Sequence, residues 1–209
     1  MIILGGGGFG TFVRDLCEFC GHEPVGILDN FKAKGDSVNG CPVLGPIDMV
    51  EDALLRKSCE FVVAIKDFKL RRKWAKRVKS AGGRLATLLH PSVVVSPSAH
   101  LGEGVVINAF SFVYANAAVG DICIIESHCV IGTEVFVGDA CLITPGAHLN
   151  RRARIGEDTM IGSHAVLAPN VTVGRHCVIG AGAAVVRDIP DNKVAAGVPA
   201  RVLRDNTEA

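Results

Sequence analysis

A six-residue repeat runs through the C-terminal half of the chain and constrains its fold more than any other feature. Every sixth residue from Leu89 to Val185 is aliphatic, over sixteen uninterrupted hexads. The position four residues further on, from Val93 to Ala183, holds only Val, Ala, Ser, Cys or Thr. Because neither position carries a large polar or charged side chain, both are predicted to point into a narrow interior.

The residues that follow the aliphatic positions predict how the chain turns. Ten of these sixteen residues are Gly or Asn, among them Gly102, Gly120 and Gly180. We interpret them as corners that need a positive φ. Short strands, a small interior and a turn every six residues predict a three-sided parallel β-solenoid with three hexads per coil. At about 4.8 Å per coil, the sixteen hexads make a prism roughly 25 Å tall.

The N-terminal part of the chain follows a different pattern. Strands are predicted at residues 1–4, 25–28 and 61–65, and helices at residues 11–21, near 47–55 and at 68–83. This alternation predicts an α/β Rossmann-like domain over residues 1–85, with three strands. The β-solenoid is assigned to residues 86–186 and a C-terminal tail to residues 187–209.

A glycine-rich turn predicts a phosphate-binding site in the first domain. Gly5, Gly7 and Gly10 form G-x-G-x-x-G directly after a predicted strand and before a predicted helix. Glycines let the backbone approach a phosphate, which the helix N-terminus then stabilises. Asp29, at the end of the second strand, is placed to bind ribose hydroxyls. With three strands, a mononucleotide or nucleotide sugar fits better than a dinucleotide, although a dinucleotide-sensing domain and a bare tight turn stay open.

Composition excludes several classes of protein. The 22 basic and 21 acidic residues give a net charge of +1, which argues against a dedicated nucleic-acid binder or a membrane-surface protein. No apolar stretch is long enough for a membrane helix and no signal peptide is recognised, so a cytoplasmic location is expected. The eight cysteines are expected to be reduced, and four of them fall on the small inward position of the repeat: Cys123, Cys129, Cys141 and Cys177.

Several separate motifs resemble one known family. They are GGGGFG at 5–10, GILDN at 26–30, IESHCVIG at 125–132, IGAGAAVVRDIP at 179–190 and AGVPARVL at 196–203. With these motifs the chain resembles the bacterial sugar acyltransferases with hexapeptide repeats, which include sialic acid O-acetyltransferases and UDP-4-amino-sugar N-acetyltransferases. The resemblance implies a left-handed β-helix that forms a homotrimer and binds acetyl-CoA between subunits. It also implies that the Rossmann-like domain holds the sugar nucleotide.

The resemblance further implies the residues of the site. The sugar nucleotide would be bound by Gly5, Gly7, Gly8, Gly10, Asp29, Asn30 and Arg71. Acetyl-CoA would run along Ser163, Gly180, Ala181 and Gly182 toward Pro199 and Arg201. No metal is expected, because His128 and His164 lie two coils, or about 9.5 Å, apart.

The candidate catalytic residues depart from the family pattern. Members of the family typically carry a histidine and then an acid before the cysteine of the IESHC motif. Here Ser127 takes the place of that histidine and His128 the place of the acid, while Glu126 precedes both. His128 is the candidate general base, with Glu126 or Ser127 nearby, since histidine is the usual base at neutral pH. The structural alternative is a surface histidine on a β-helix corner.

The predicted function is therefore an acetyl-CoA-dependent acetyltransferase. It would act on an amino or hydroxyl group of a nucleotide-linked or acidic sugar, in the biosynthesis of a surface polysaccharide or other glycan. Arg151, Arg152 and Arg154 would bind an acidic group or form a solvated or subunit-bridging patch. The alternative is a catalytically silent β-helix protein that binds a sugar nucleotide, which the displaced histidines favour.

Overall fold

The chain forms two compact units in the computed structural model. The structure describes residues 1–52 and 60–207, and the division between the units falls after Pro91. Among the described residues, no helix combines the length and the apolar character that crossing a bilayer requires.

The first unit is a twisted sheet with helices packed on it. Its strands are β1 (Ile2–Leu4), β2 (Gly26–Leu28), β3 (Ser37–Val38), β4 (Cys41–Gly45), β5 (Glu60–Val63) and β6 (Arg84–Leu85). Its helices are α1 (Gly8–Phe19), the 3-10 helix η1 (Ile47–Glu51) and α2 (Phe68–Ser80). The strand order is β3-β4-β2-β1-β5-β6, in which β3 and β4 are antiparallel and the other neighbours are parallel.

The Rossmann-like architecture is confirmed, but the prediction of three strands is wrong. Residues 1–52 and 60–85 form a sheet of six strands. β3 and β6 have two residues each and are too short to show a period, and β4 contains a proline and a glycine, which argue against a strand in a sequence. Of the predicted helix near 47–55, residues 47–51 form η1, and residues 53–55 lie outside the described part of the chain.

The second unit is a parallel β-helix built from two-residue strands. The strands β7 to β23 begin every six residues, from Leu88 to Ala184; β7 precedes the division between the units, and β8 to β23 lie in the second unit. They are β7 (Leu88–Leu89), β8 (Val94–Val95), β9 (His100–Leu101), β10 (Val106–Ile107), β11 (Phe112–Val113), β12 (Ala118–Val119), β13 (Ile124–Ile125), β14 (Val130–Ile131), β15 (Phe136–Val137), β16 (Leu142–Ile143), β17 (His148–Leu149), β18 (Arg154–Ile155), β19 (Met160–Ile161), β20 (Val166–Leu167), β21 (Thr172–Val173), β22 (Val178–Ile179) and β23 (Ala184–Val185).

Three sheets form the sides of the β-helix. From residue 92 onward their orders are β24-β22-β19-β16-β13-β10, β23-β20-β17-β14-β11-β8 and β21-β18-β15-β12-β9. The strand β24 (Lys193–Gly197) extends the first sheet and pairs antiparallel with β25 (Ala200–Asp205). From β8 to β20, each strand pairs with the strand 18 residues further on, so that, for example, Ile125 lies beside Ile143.

The interior contains the two residue classes that the repeat predicts. From Ile107 to Val185 the second residue of every strand is buried. The predicted inward cysteines Cys123, Cys129, Cys141 and Cys177 are all fully buried, which confirms their assignment. All seven cysteines in the described residues are free thiols.

Two buried hydroxyl groups, those of Ser111 and Thr159, form hydrogen bonds within the interior. Ser111 Oγ donates to the carbonyl of Glu126 at 2.9 Å and accepts from the amide of Cys129 at 3.0 Å. Thr159 Oγ1 does the same with the carbonyl of Gly174 at 2.8 Å and the amide of Cys177 at 3.0 Å. Both hydroxyls therefore escape the cost of an unsatisfied buried polar group.

The prediction that the glycines one residue after the aliphatic positions need a positive φ is wrong. Positive φ falls three residues after the aliphatic position, not one, and even Phe110, Ile122 and His128 adopt it. The glycines one residue after the aliphatic position are needed because the next coil passes close by. A Cβ on Gly138, for example, would lie 2.7 Å from the amide nitrogen of Glu157.

This close approach makes a prediction about stability. We expect Gly138→Ala to lower the free energy of unfolding by about 2 kcal/mol, because backbone cannot yield as a flexible side chain can. Gly182→Asn is the matched control, since Gly182 has φ +68° and nothing within 4 Å of its Cβ position. Asn tolerates that conformation, so the control should change the free energy of unfolding by less than about 1 kcal/mol. Urea unfolding of both variants measures the difference, and equal effects would contradict the steric explanation.

Candidate functional site

The carboxyl ends of β1, β2 and β5 meet at one edge of the first sheet, as they must in a parallel sheet. Gly5 follows β1 with φ +104°, and a Cβ there would lie 2.8 Å from the carbonyl oxygen of Ala64. A Cβ on Gly10 would collide with the carbonyl of Gly5. These two glycines are therefore required by the packing of the turn and α1 against β1.

The next glycines leave the N-terminus of α1 open. A Cβ on Gly7 or Gly8 would meet nothing within 4 Å, and both residues are exposed. Gly7 caps α1 without a side chain, and the first turn of the helix holds no acidic residue. Such a helix end attracts anions through its backbone N–H groups and its dipole.

Two lysines that the sequence analysis missed flank this turn. The Cδ atom of Lys32 lies 3.1 Å from the position that a Cβ of Gly6 would take. The ammonium group of Lys66 lies 5.3 Å from the ring centroid of Phe9, in the first turn of α1. Both lysines closely follow the ends of β2 and β5, so the rule that parallel strand ends meet would have found them.

The predicted residues Asp29 and Asn30 hold the loops in place. Asp29 is buried, and its Oδ2 accepts from the amide of Gly6 at 2.7 Å while its Oδ1 accepts from the amide of Phe31 at 2.8 Å. Asn30 Oδ1 accepts from the amide of Ile47 at 2.9 Å. The structure thus gives both residues a positioning role, and a contact from Asp29 to ribose stays a prediction.

Arg71 also lies beneath a loop. Its side chain is 1% exposed and donates to the carbonyls of Ile65 at 3.3 Å and Lys66 at 3.4 Å, and its guanidinium lies 5.3 Å from the ring of Phe68. Arg71 therefore supports the segment that follows β5. Direct contact of Arg71 with a substrate stays a prediction.

In the β-helix, one corner collects the predicted catalytic residues. This corner joins the sheet of β13 to the sheet of β14, and residues 18 apart form a column along it. The column consists of Phe110, His128, Gly146, His164 and Gly182, all with positive φ. His128 is exposed and follows the half-buried Glu126 and Ser127. Its ring lies 5.1 Å from that of Phe110.

Backbone hydrogen bonds extend this corner to the predicted CoA-binding residues. The carbonyl of Ser127 accepts from Gly146 at 3.0 Å, and the carbonyl of Ser163 accepts from Gly182 at 2.8 Å. A Cβ on Gly146 would collide with the imidazole of His164, so that ring lies over the glycine. The structure therefore brings Glu126, Ser127 and His128 onto the same corner as Ser163 and Gly182.

The remaining predicted CoA-binding residues lie at or beyond the end of this corner. Gly180 packs against β24, since its Cβ would lie 2.7 Å from that of Ala196. Ala181 is exposed, as are Pro199 and Arg201 in the hairpin of β24 and β25. Ser163 Oγ lies 3.2 Å from Thr144 Oγ1, which donates to the carbonyl of Ile161 at 2.8 Å, so Ser163 is the donor to Thr144.

The neighbouring ionisable groups have other partners. Burial raises the pKa of Cys129 to about 11, so this residue is a neutral thiol at neutral pH. On the next corner, Arg152 donates to Glu134 at 2.5 Å and Arg151 lies 3.6 Å from it. The hydrogen bond from Arg152 lowers the pKa of Glu134. No group of three His, Cys, Asp or Glu residues suited to a metal ion occurs in residues 1–52 and 60–207.

The sequence analysis also missed the contact between Phe110 and His128. The signal was present in the repeat, because residues 18 apart share a corner and 110 and 128 differ by one coil. The aromatic ring one coil below restricts the imidazole of His128, which is exposed.

The carboxylate of Asp29 gives a testable prediction for the first unit. We expect Asp29→Ala to lower the free energy of unfolding by about 2 kcal/mol, because it leaves the amides of Gly6 and Phe31 without their acceptor. Asp29→Asn keeps one acceptor oxygen and should lose less. Hydrogen exchange should quicken at Gly6 and Phe31 in the alanine variant. Unchanged exchange at both amides would remove Asp29 from the positioning of the turn.

Two family models match the chain in the regions just described. The PglD N-terminal domain matches residues 1–78, and the bacterial transferase hexapeptide model of six repeats matches residues 152–187. The acetyltransferase domain of PglB from Neisseria gonorrhoeae FA1090, also solved with acetyl coenzyme A, is 34% identical with a TM-score of 0.92, and the match covers 97% of this chain and 98% of that chain.

A second solved structure contains a coenzyme and a nucleotide sugar. It is a histidine-to-asparagine mutant of perosamine N-acetyltransferase from Caulobacter crescentus in complex with CoA and GDP-perosamine. It is 35% identical with a TM-score of 0.93, and the match covers 98% of this chain and 96% of that chain. WeeI from Acinetobacter baumannii AYE, at 23% identity and a TM-score of 0.86, shares the fold. With its Rossmann-like domain and its left-handed parallel β-helix, the chain belongs to the hexapeptide-repeat sugar acyltransferase family.

Proposed function

We propose that the protein transfers the acetyl group of acetyl-CoA to an amino or hydroxyl group of a nucleotide-linked sugar. One observation carries this proposal. The similarity to the perosamine N-acetyltransferase bound to CoA and GDP-perosamine extends over 98% of the chain, and so includes both the glycine-rich turn and the β-helix corner. These similarities give no support to a catalytically silent sugar-nucleotide-binding protein.

The two sites would supply different parts of the reaction. The open N-terminus of α1, with Lys32 and Lys66 beside it, offers N–H groups and positive charge for the diphosphate of a sugar nucleotide. The corner that carries the half-buried Ser163 and the exposed Gly182 offers small residues, along which the pantetheine chain of acetyl-CoA would lie. Acetyl-CoA supplies the thioester, whose C–S bond breaks as the new C–N or C–O bond forms.

His128 is the proposed general base. Its imidazole is exposed on the corner and oriented by Phe110, and it would accept the proton from the attacking nitrogen or oxygen. The imidazolium can then return this proton to the departing sulfur, so that free thiol is released. Glu126 and Ser127, on the same corner, would orient the imidazole or stabilise its charged form.

Assembly into a homotrimer is part of the proposal. One sheet carries the outward apolar residues Val94, Phe112 and Val130 on β8, β11 and β14, and Val166 on β20 lies beyond the exposed His148 of β17. Val94 is 51% exposed, Phe112 40% and Val166 42% in the single chain. Exposed apolar residues on a flat sheet face favour association with another copy of the chain. We also propose a cytoplasmic location, which the seven free thiols of the described residues support.

The base can be tested by substitution. We expect His128→Ala to reduce acetyl transfer by about 100-fold or more, since removing a general base typically costs 10²–10⁴ in rate. The assay measures release of free thiol from acetyl-CoA with GDP- and UDP-linked 4-amino sugars as acceptors. His176→Ala is the control, because His176 has the same hexad position and a positive φ on another corner. Full turnover by the His128 variant would remove it from the mechanism.

The trimer is tested separately by placing a charge on the sheet that carries Val166. Val166→Glu should shift the mass in solution from three times the 22.0 kDa chain toward a single chain. The reason is that a carboxylate cannot be buried there without a partner. Thr172 is an exposed residue of β21, in a different sheet, and Thr172→Glu should leave the mass unchanged. Light scattering coupled to size exclusion gives both masses, and a wild-type mass of one chain would contradict the proposed assembly.

A further inference from the structure

Phe31 is the most exposed large hydrophobic residue of the first unit's described part, at 98% of its possible surface. It lies just beyond the carboxyl end of β2, two residues after Asp29. A phenyl ring that stays almost completely hydrated buries no apolar surface and therefore does not stabilise the fold. Its presence at this edge of the sheet therefore needs another explanation.

The backbone that carries this ring is held firmly. Asp29 accepts from the amide of Phe31 with one carboxylate oxygen and from the amide of Gly6 with the other. The residue between them, Asn30, accepts from the amide of Ile47. One carboxylate thus fixes the backbone of Phe31 relative to Gly6 of the glycine-rich turn.

The other aromatic rings of the unit are not available in the same way. Phe61 is buried, and Phe9 stacks with Phe12 at a centroid distance of 6.1 Å. Phe68 lies against Arg71, and Phe19 lies at the C-terminal end of α1 against His90. Phe31 is the exposed ring on the loop that Asp29 ties to Gly6 of the glycine-rich turn.

We infer that Phe31 is the stacking surface for the base of the nucleotide. The inference rests on the proposed function, in which the diphosphate lies at the N-terminus of α1. In a βαβ arrangement the ribose and base extend from there across the end of the second strand, where Phe31 lies. A ring reads the π-face that all bases share, so this residue would recognise a nucleobase as a class and not one particular base.

Calorimetric titration of the full-length protein with GDP, UDP and inorganic pyrophosphate tests the inference. Phe31→Ala should raise the Kd of both nucleotides about tenfold, within the range that stacking on a base contributes. The Kd of pyrophosphate, which has no base, should not change. Phe31→Trp should restore nucleotide affinity. Phe19→Ala, which removes an exposed ring at the other end of α1, should leave all three constants unchanged.

The outcomes separate this inference from the proposed function. If the wild-type protein binds nucleotides and Phe31→Ala binds them equally well, the stacking role is wrong and the proposed function stands. An equal loss for pyrophosphate would show that the substitution disturbs the anion site, and would also overturn the stacking role. A lower mass in solution with unchanged nucleotide affinity would assign the ring to a subunit contact instead. No nucleotide binding by the wild-type protein would overturn both the proposed function and the inference.

Discussion

The β-helix depends on hydrogen bonds between backbone groups one coil apart. The amide of Ile124 donates to the carbonyl of Cys141 at 2.9 Å, and the amide of Glu126 donates to that of Ile143 at 2.8 Å. Because every coil repeats this pairing, each side chain lies above the one 18 residues before it. The resulting columns fix the core and the corner alike, so the same bonds that hold the coils together also place His128 above Phe110.

Much of this architecture could be predicted from the sequence, because the repeat is strict and only one kind of fold satisfies it. The inward positions, including the four cysteines, were predicted correctly for that reason. The positions with positive φ were not predicted correctly. Glycine can be required either by a positive φ or by the close approach of another part of the backbone, and a sequence does not distinguish the two. Gly138 is required by the approach of the next coil, whereas the neighbouring positive-φ positions accept Phe110 or His128.

In the first unit, the glycine-rich turn and the central strands could be predicted, but the edge strands could not. β3 and β6 contain two residues each, and pairing with a longer neighbour decides whether so short a segment is a strand. The candidate site shows the same limit. Asp29 was expected to contact ribose because of its distance along the chain from Gly10. Its structural hydrogen bonds to Gly6 and Phe31 depend on loop geometry that residue spacing does not encode.

The uniform coil also restricts how a gene for such a protein can change in length. An insertion or deletion of a single codon within the β-helix would move every later aliphatic and small residue off its inward position and bring other residues of the hexad into the interior. Adding or removing six residues would keep the interior intact but move every later corner to the next corner of the prism. A change of this kind between His128 and Ser163 would place the two residues on different corners. Changes of 18 residues are the smallest that preserve both the interior and the corner, which makes the coil the unit in which this half of the molecule can grow.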